Sequence, residues 1–307
     1  MSTEGGAVAP VRLRRCGRLG RPRGTVGAAG RGPAPTGTFR VVFVDLHCHS
    51  TASDGEEAPQ AVAARAQARG VQLFALTDHD SCLGSAEAVP SGARAVRGVE
   101  LSCDDDGRTV HILAYDAGGA WDQLVARLAD VREARRRRFR VMLAKLERRG
   151  IKLDGDALLA AAGERTVGRP DLAKAMVACG AATSFKDAFR RHLYDNGPVN
   201  VAQRELSVEE ALRLGRSVGA RMSLAHPHLY GDRGVALLRR HRADGLTGVE
   251  AFYGSYDAAE RNHWIEIARH LDLVCTGGSD FHKEGDLPLG VELPDEHADP
   301  LLAWLGA

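Results

Sequence analysis

A chain of 307 residues with 41 basic and 40 acidic side chains has a formal charge of +1, so net charge implies no polyanion partner. Its length suits one large α/β domain or two smaller ones, and no apolar run is long enough to cross a bilayer, which excludes an integral helical membrane protein. The six cysteines, at 16, 48, 82, 103, 179 and 275, show no C-x-x-C pairing and read as reduced thiols of a cytoplasmic protein, not a disulfide framework.

The charge is unevenly spread. Residues 1–40 hold eight arginines and one acid, Glu4, which leaves 33 basic and 39 acidic residues for the remainder. This Gly-, Pro- and Arg-rich segment has too little apolar surface to fold alone. Lacking an apolar h-region, it reads as a disordered tail or an upstream-start extension, ahead of a transit peptide or nucleic-acid arm. Its deletion is expected to leave folding and turnover nearly unchanged.

From Val41 the texture changes. Val41-Val42-Phe43-Val44 suits a buried parallel strand and runs into Asp45-Leu46-His47-Cys48-His49, then a polar turn with Asp54. At i and i+2 of a strand, His47 and His49 share a face and can converge on one metal ion, with Cys48 facing away. Residues 58–69 form a helical pattern with Pro59 in the first turn and Gly70 as a stop. A second apolar run, 71–76, ends in Thr77-Asp78-His79-Asp80, and a third, 95–99, ends in Glu100. A fourth, 109–115, carries His111 after the acidic turn Asp104-Asp105-Asp106-Gly107. This alternation predicts a parallel sheet or barrel, in which chemistry gathers at the carboxyl ends of strands.

Residues 121–149 then predict one long charged helix with a partial apolar stripe, stopped by Gly150. Its run Arg135-Arg136-Arg137-Arg138 reads as a solvated face ahead of a phosphate site. Shorter helical patterns follow at 154–162, 170–179 and 184–193, so 119–205 reads as a helical insertion covering the mouth of the main domain. The alternation resumes with a helix at 207–218, where Ser207 and Glu210 form a capping-box pattern. A strand at 221–225 leads into His226-Pro227-His228, and a strand at 246–252 precedes a helix at 257–270. A last strand, 271–278, leads into Ser279-Asp280-Phe281-His282.

Nine residues of matched ligand type therefore sit at or near strand ends: His47, His49, Asp54, His79, Glu100, His111, His226, Asp280 and His282. Imidazole and carboxylate without thiolate suit zinc, manganese or iron with open coordination positions, not a closed structural zinc site. Nine ligands exceed what one ion takes, which implies two or three. Such clusters polarise a phosphoryl oxygen, acidify a bound water and stabilise a leaving oxygen. His241, His263, His270 and His297 read as surface residues, His192 as structural, and His228 as a possible pocket neighbour of His226.

The segments Asp45-Leu46-His47-Cys48-His49-Ser50, Ser53-Asp54-Gly55, Thr77-Asp78-His79-Asp80, Gly98-Val99-Glu100, Ala225-His226-Pro227 and Gly278-Ser279-Asp280-Phe281-His282 resemble, in order, the motifs of the PHP (polymerase and histidinol phosphatase) family. The resemblance covers about residues 41–292 and implies a distorted (β/α)7 barrel, in parts 41–118 and 206–307, with phosphoesterase activity. It also implies a trinuclear centre, manganese first, with zinc or iron as alternatives. One ion would take His47, His49, Glu100 and Asp280. A second would share Glu100 and add His111 and His226, and a third would take Asp54, His79 and His282.

Within that family, the helical block resembles the insertion of bacterial nucleoside 3′,5′-bisphosphate phosphatases, also described as 5′-to-3′ exoribonucleases on short RNA. Val167-Gly168-Arg169-Pro170-Asp171 matches that subfamily's Gly-Arg-Pro-His pattern except at Asp171. In that reading Arg169 clamps a phosphate, with Asp54 and His79 beside the substrate, while Asp80 or His282 assists proton transfer. Asp171 could instead pair with Arg169 and change the substrate. The expected partner is a small phosphorylated metabolite, a nucleoside 3′,5′-bisphosphate or a short RNA or DNA end, with no membrane contact. The alternatives are a histidinol-phosphate phosphatase, which the insertion argues against, and a non-catalytic scaffold, which the intact ligand set argues against.

Overall fold

The computed structural model describes residues 41–85, 87–201 and 206–306; the Arg-rich segment 1–40, with the expectations attached to it, lies outside the described residues. The strands are β1 (Val41–Asp45), β2 (Leu73–Phe74), β3 (Arg94–Ala95), β4 (Gly98–Asp105), β5 (Arg108–Tyr115), β6 (Arg221–Leu224), β7 (Leu246–Tyr253), β8 (Val274–Gly278) and β9 (Val291–Pro294). They form a four-stranded sheet, β3-β2-β1-β9, and a five-stranded sheet, β4-β5-β6-β7-β8. Isolated parallel bridges, Cys48 with Phe281 and His79 with Glu100, join the ends of the two sheets.

Purely parallel pairing does not hold. β4, β5 and β6 are antiparallel neighbours, and β9 runs antiparallel to β1. The cause lies in Asp106-Gly107, whose φ values of 52° and 81° make the two-residue hairpin turn that returns β4 directly into β5. Glu100 consequently lies near the start of β4 instead of ending a strand, and His111 lies inside β5.

The helices are α1 (Pro59–Ala68), α2 (Trp121–Glu147), α3 (Gly155–Ala162), α4 (Arg169–Ala178), α5 (Phe185–Ala188), α6 (Val208–Ser217), α7 (Asp232–His241), α8 (Ala258–Leu271) and α9 (Asp295–Trp304). One turn of π-helix, Phe189–Leu193, extends α5. The Ser207 hydroxyl accepts from Glu210 N at 3.1 Å and starts α6, as the sequence implied. β9, α7 and α9 were not expected: β9 is four residues long and α9 carries Pro300 inside it, so neither shows a clean period.

Helix α2 belongs to two cores. Trp121, Leu124, Leu128 and Val131 pack into the apolar cluster around both sheets. Phe139, Met142 and Leu146 pack with Leu159, Leu172, Met176 and Leu193 in a separate helical cluster. Burying a leucine such as Leu124 contributes roughly 1.5–3 kcal/mol. At the junction the arginine run departs from expectation: Arg135 and Arg138 are buried, because a helix crossing from one core to another must turn both sides of itself inward. His241 is likewise buried, held by Asp244 at 3.1 Å, and not a surface residue.

Candidate metal centre

All nine candidate ligands meet at one end of the sheets, with Glu100 in their midst. Its Oε1 lies 2.9 Å from His111 Nδ1, 3.1 Å from His226 Nε2 and 3.4 Å from His47 Nε2. Its Oε2 lies 2.9 Å from His79 Nδ1 and 3.3 Å from His49 Nε2. Asp280 Oδ1 approaches His47 Nε2 at 3.3 Å, His49 Nε2 at 3.2 Å and His282 Nδ1 at 3.7 Å. Asp54 faces His282 Nε2 at 3.4 Å, with His79 and His49 at 3.8 and 3.9 Å.

Four ligand groups have donor atoms within 4.8 Å of one another: His47/His49/Asp280, His49/Asp54/His79/His282, His47/Glu100/His226 and His79/Glu100/His111. Atoms sharing an ion at bond lengths of about 2.0–2.3 Å lie up to about 4.6 Å apart, and the contacts of 2.9–3.9 Å given above fall inside that reach. The expected partition is redistributed at three residues, since His47 also groups with Glu100 and His226, His49 also joins the Asp54 group, and His79 also faces Glu100 and His111. Buried donor atoms with no hydrogen-bond partner among the described residues include His47 Nε2, both ring nitrogens of His49, His79 Nδ1 and Glu100 Oε2. Orphaned polar atoms cost stability unless satisfied, and divalent ions would satisfy this set.

The backbone is shaped to aim these groups. Asp80, His226 and Asp280 hold left-handed φ values of 47°, 27° and 55°, a conformation that non-glycine residues keep only where surroundings enforce it. Gly278 permits β8 to lie against His47, since a Cβ there would meet the His47 Cβ at 2.4 Å.

Beyond the nine, a layer of buried acids fixes the ligands, and the sequence reading assigned it no role. Glu250 accepts from His47 Nδ1 at 3.0 Å and from His226 N at 2.7 Å, which turns the His47 Nε2 edge toward the centre. Asp45 accepts from Ser279 Oγ at 2.7 Å and Gly290 N at 2.7 Å, tying β1 to the loop after β8. Asp78 accepts from Ser50 N, Ser50 Oγ and Ser53 Oγ at 2.7–2.8 Å and so shapes the Asp54 turn. Tyr253 donates to Asp280 Oδ2 at 2.8 Å, and Tyr230 accepts from His111 N at 2.9 Å. A charged residue within an otherwise apolar strand, as in Val249-Glu250-Ala251, was the available signal.

Within the protein's own charges, burial opposes ionisation of Glu100, Asp54 and Asp280, but the facing imidazoles outweigh it and hold all three below the usual carboxylate range. Burial pushes His111 down to about 4 and also lowers His49, giving the neutral imidazole a metal requires. His282 is pushed up to about 10: burial opposes this, and the Asp54 hydrogen bond and charge prevail. His282 Nδ1 donates to the Asp280 carbonyl at 2.9 Å, directing Nε2 toward Asp54.

Above the ligands, the helical residues line a cavity of about 190 Å³ with Asp54, His79, His111, Arg135, Arg138, Arg169 and Phe189 among its walls. Arg169 donates to Leu193 O at 3.0 Å, pairs with Asp195 at 2.5 Å and lies over the Phe189 ring. Asp171 does not pair with it: Asp171 takes Arg165 at 2.6 Å and Gly168 N at 2.8 Å. Asp80 is fully buried, bound to Arg135 at 2.5 Å and to Ser102 N at 2.8 Å. His228 sits outside this cavity and accepts or donates with Tyr256 Oη at 2.9 Å.

Residues 45–151 match the PHP domain family. A 3′,5′-nucleoside bisphosphate phosphatase from Chromobacterium violaceum is 35% identical over 253 residues, covering 79% of this chain and 88% of the relative. A 5′-3′ exoribonuclease from Haemophilus influenzae is 32% identical over 246 residues, covering 78% of this chain and 89% of the relative. An amidohydrolase structure from Chromobacterium violaceum, with bound sulfate and no metal, superposes with a TM-score of 0.76 at 32% identity, over 85% of this chain and 96% of that one. With a ligand-rich centre under a cationic cavity and relatives matched over most of their length, the chain belongs to the PHP family and is a metal-dependent phosphoesterase, a hydrolase.

Proposed function

We propose that this enzyme hydrolyses a nucleoside 3′,5′-bisphosphate or the 5′ end of a short oligonucleotide. The observation that carries the reading is the pairing of an imidazole–carboxylate floor with a roof of three arginines, Arg135, Arg138 and Arg169, around one cavity. A bisphosphate has two anionic ends, one for each. The nine ligands are assigned to two or three divalent ions, manganese first, with zinc or iron as alternatives. When bound, such ions supply Lewis-acid stabilisation of phosphoryl oxygens and an acidified water nucleophile.

The protein's own contribution is orientation and exclusion of water. Arg169, fixed by Asp195 and Phe189, offers its guanidinium to the phosphate remote from the ligands. Asp54 and His79 border the reacting phosphoryl group as well as serving as ligands. Asp80 is sealed beneath Arg135 and takes no part in proton transfer, whereas His282 keeps solvent access and can pass a proton through Nε2 only while that nitrogen holds no ion.

The distorted (β/α)7 barrel, split into 41–118 and 206–307 around an insertion at 119–205, is our reading of the two bridged sheets and of the separate helical core. No helix among the described residues is long and apolar enough to cross a membrane, and the five described cysteines are unpaired, which favours a reducing compartment such as the cytoplasm.

The test is turnover of a panel: a nucleoside 3′,5′-bisphosphate, a 5′-phosphorylated trinucleotide, histidinol phosphate and an aryl phosphate, after chelation and reloading with manganese, zinc or iron. The bisphosphate and trinucleotide are expected to lead in kcat/KM, and preference for histidinol phosphate would refute the assignment.

A further inference from the structure

A second cavity, of about 430 Å³, adjoins the first; Thr109, His111 and Arg169 line both. The first opens over His79 and His111, the second over His111 and His226, and these three rings follow one another at centroid spacings of 4.8 and 5.1 Å. The ligand floor therefore continues beneath both. Arg108, Leu229, Tyr230 and Arg233 line the far side of the second cavity. Arg233 is committed to Asp105, with Nε at 2.8 Å, but Arg108 is exposed and has no ion-pair partner among the described residues. Leu229, at 64% exposure, presents apolar surface beside it.

We infer that this second cavity receives the strand continuing past the scissile phosphate of an oligonucleotide; the inference rests on the function proposed above. A phosphate monoester has one ester arm on phosphorus, whereas a diester has two, which must leave the reacting phosphorus in different directions. With phosphorus over the floor near His111, the terminal nucleoside and its 5′-phosphate occupy the arginine-roofed first cavity. The second arm passes over His226 toward Arg108, which meets the next phosphate, and Leu229, which meets apolar faces of the following nucleoside. In the reaction a water oxygen bonds to phosphorus and the bond from phosphorus to the 3′-oxygen of the first nucleoside breaks. That oxygen leaves with a proton, giving a mononucleotide and a strand shortened by one that keeps a 5′-phosphate. A bisphosphate fills only the first cavity.

The test compares kcat/KM for a 5′-phosphorylated trinucleotide with that for a nucleoside 3′,5′-bisphosphate, using the full-length metal-loaded enzyme. Arg108→Glu should lower the trinucleotide-to-bisphosphate ratio about tenfold, and Arg108→Lys should restore most of it, as loss and return of one phosphate contact require. Leu229→Glu, at an exposed position, should lower the same ratio independently. RNA and DNA trinucleotides should both respond, because the contact is to phosphate and base face, not to the sugar hydroxyl. An unchanged ratio in both the Glu variants overturns the inference. Turnover of the bisphosphate without any of the trinucleotide overturns it and leaves the proposed function standing, whereas turnover of neither overturns both.

Discussion

The floor and the roof of this site are held by different physics. Floor ligands sit on or just beyond strands, are backed by fully buried acids such as Asp45, Asp78 and Glu250, and have their ring orientations fixed by hydrogen bonds of about 3 Å. Roof residues sit on helices that reach a separate apolar core, and Arg169 among them is held by an ion pair to Asp195, which is half exposed. In the proposed function, a rigid floor fixes where phosphorus reacts. A roof group held by a solvent-facing pair, as Arg169 is, can change which substrate is admitted without disturbing that chemistry.

Glu100→Gln should do the greatest damage, because one carboxylate faces five imidazoles and belongs to two ligand groups. Turnover should fall on the order of a thousandfold for every substrate, with a matching loss of bound metal by elemental analysis. A substrate-selective loss would erase the distinction between floor and roof. Arg135→Ala tests the seam between them. It strands the fully buried Asp80 carboxylate, so denaturant unfolding should report a loss of roughly 3–5 kcal/mol, and a near-neutral result would place Arg135 among the adjustable roof groups.

Glu250→Gln sharpens the floor's second layer. Metal affinity should weaken about 10- to 100-fold while the fold persists, since the amide can still accept at one oxygen but no longer enforces the His47 tautomer by charge. On the roof, Arg169→Ala should raise KM for a bisphosphate about tenfold, with an aryl phosphate much less affected. Equal effects would remove the clamp. Asp171→His should be the mildest, costing about 1 kcal/mol through loss of the Arg165 pair and the Gly168 N–H contact; any gain confined to bisphosphates would tie this position to substrate choice.

The sequence by itself determined which residues are candidates for the floor. Apolar runs ending in His or acid, such as residues 41–49 and 274–282, carry a local period and a local chemistry, so both the strands and the candidate ligands could be read one segment at a time. Only the tertiary structure decided the partnerships across the chain. Glu250 reaches His47 across 203 positions and Asp45 reaches Ser279 across 234, and no periodicity records such pairings. The same holds where α2 passes between two cores: a four-arginine run looks solvated on any helical wheel, and Arg135 can stay inward there with Asp80 as its buried partner. Burial of a charge depends on a partner that the fold delivers from elsewhere, whereas the drive to bury an apolar run is written in the run itself.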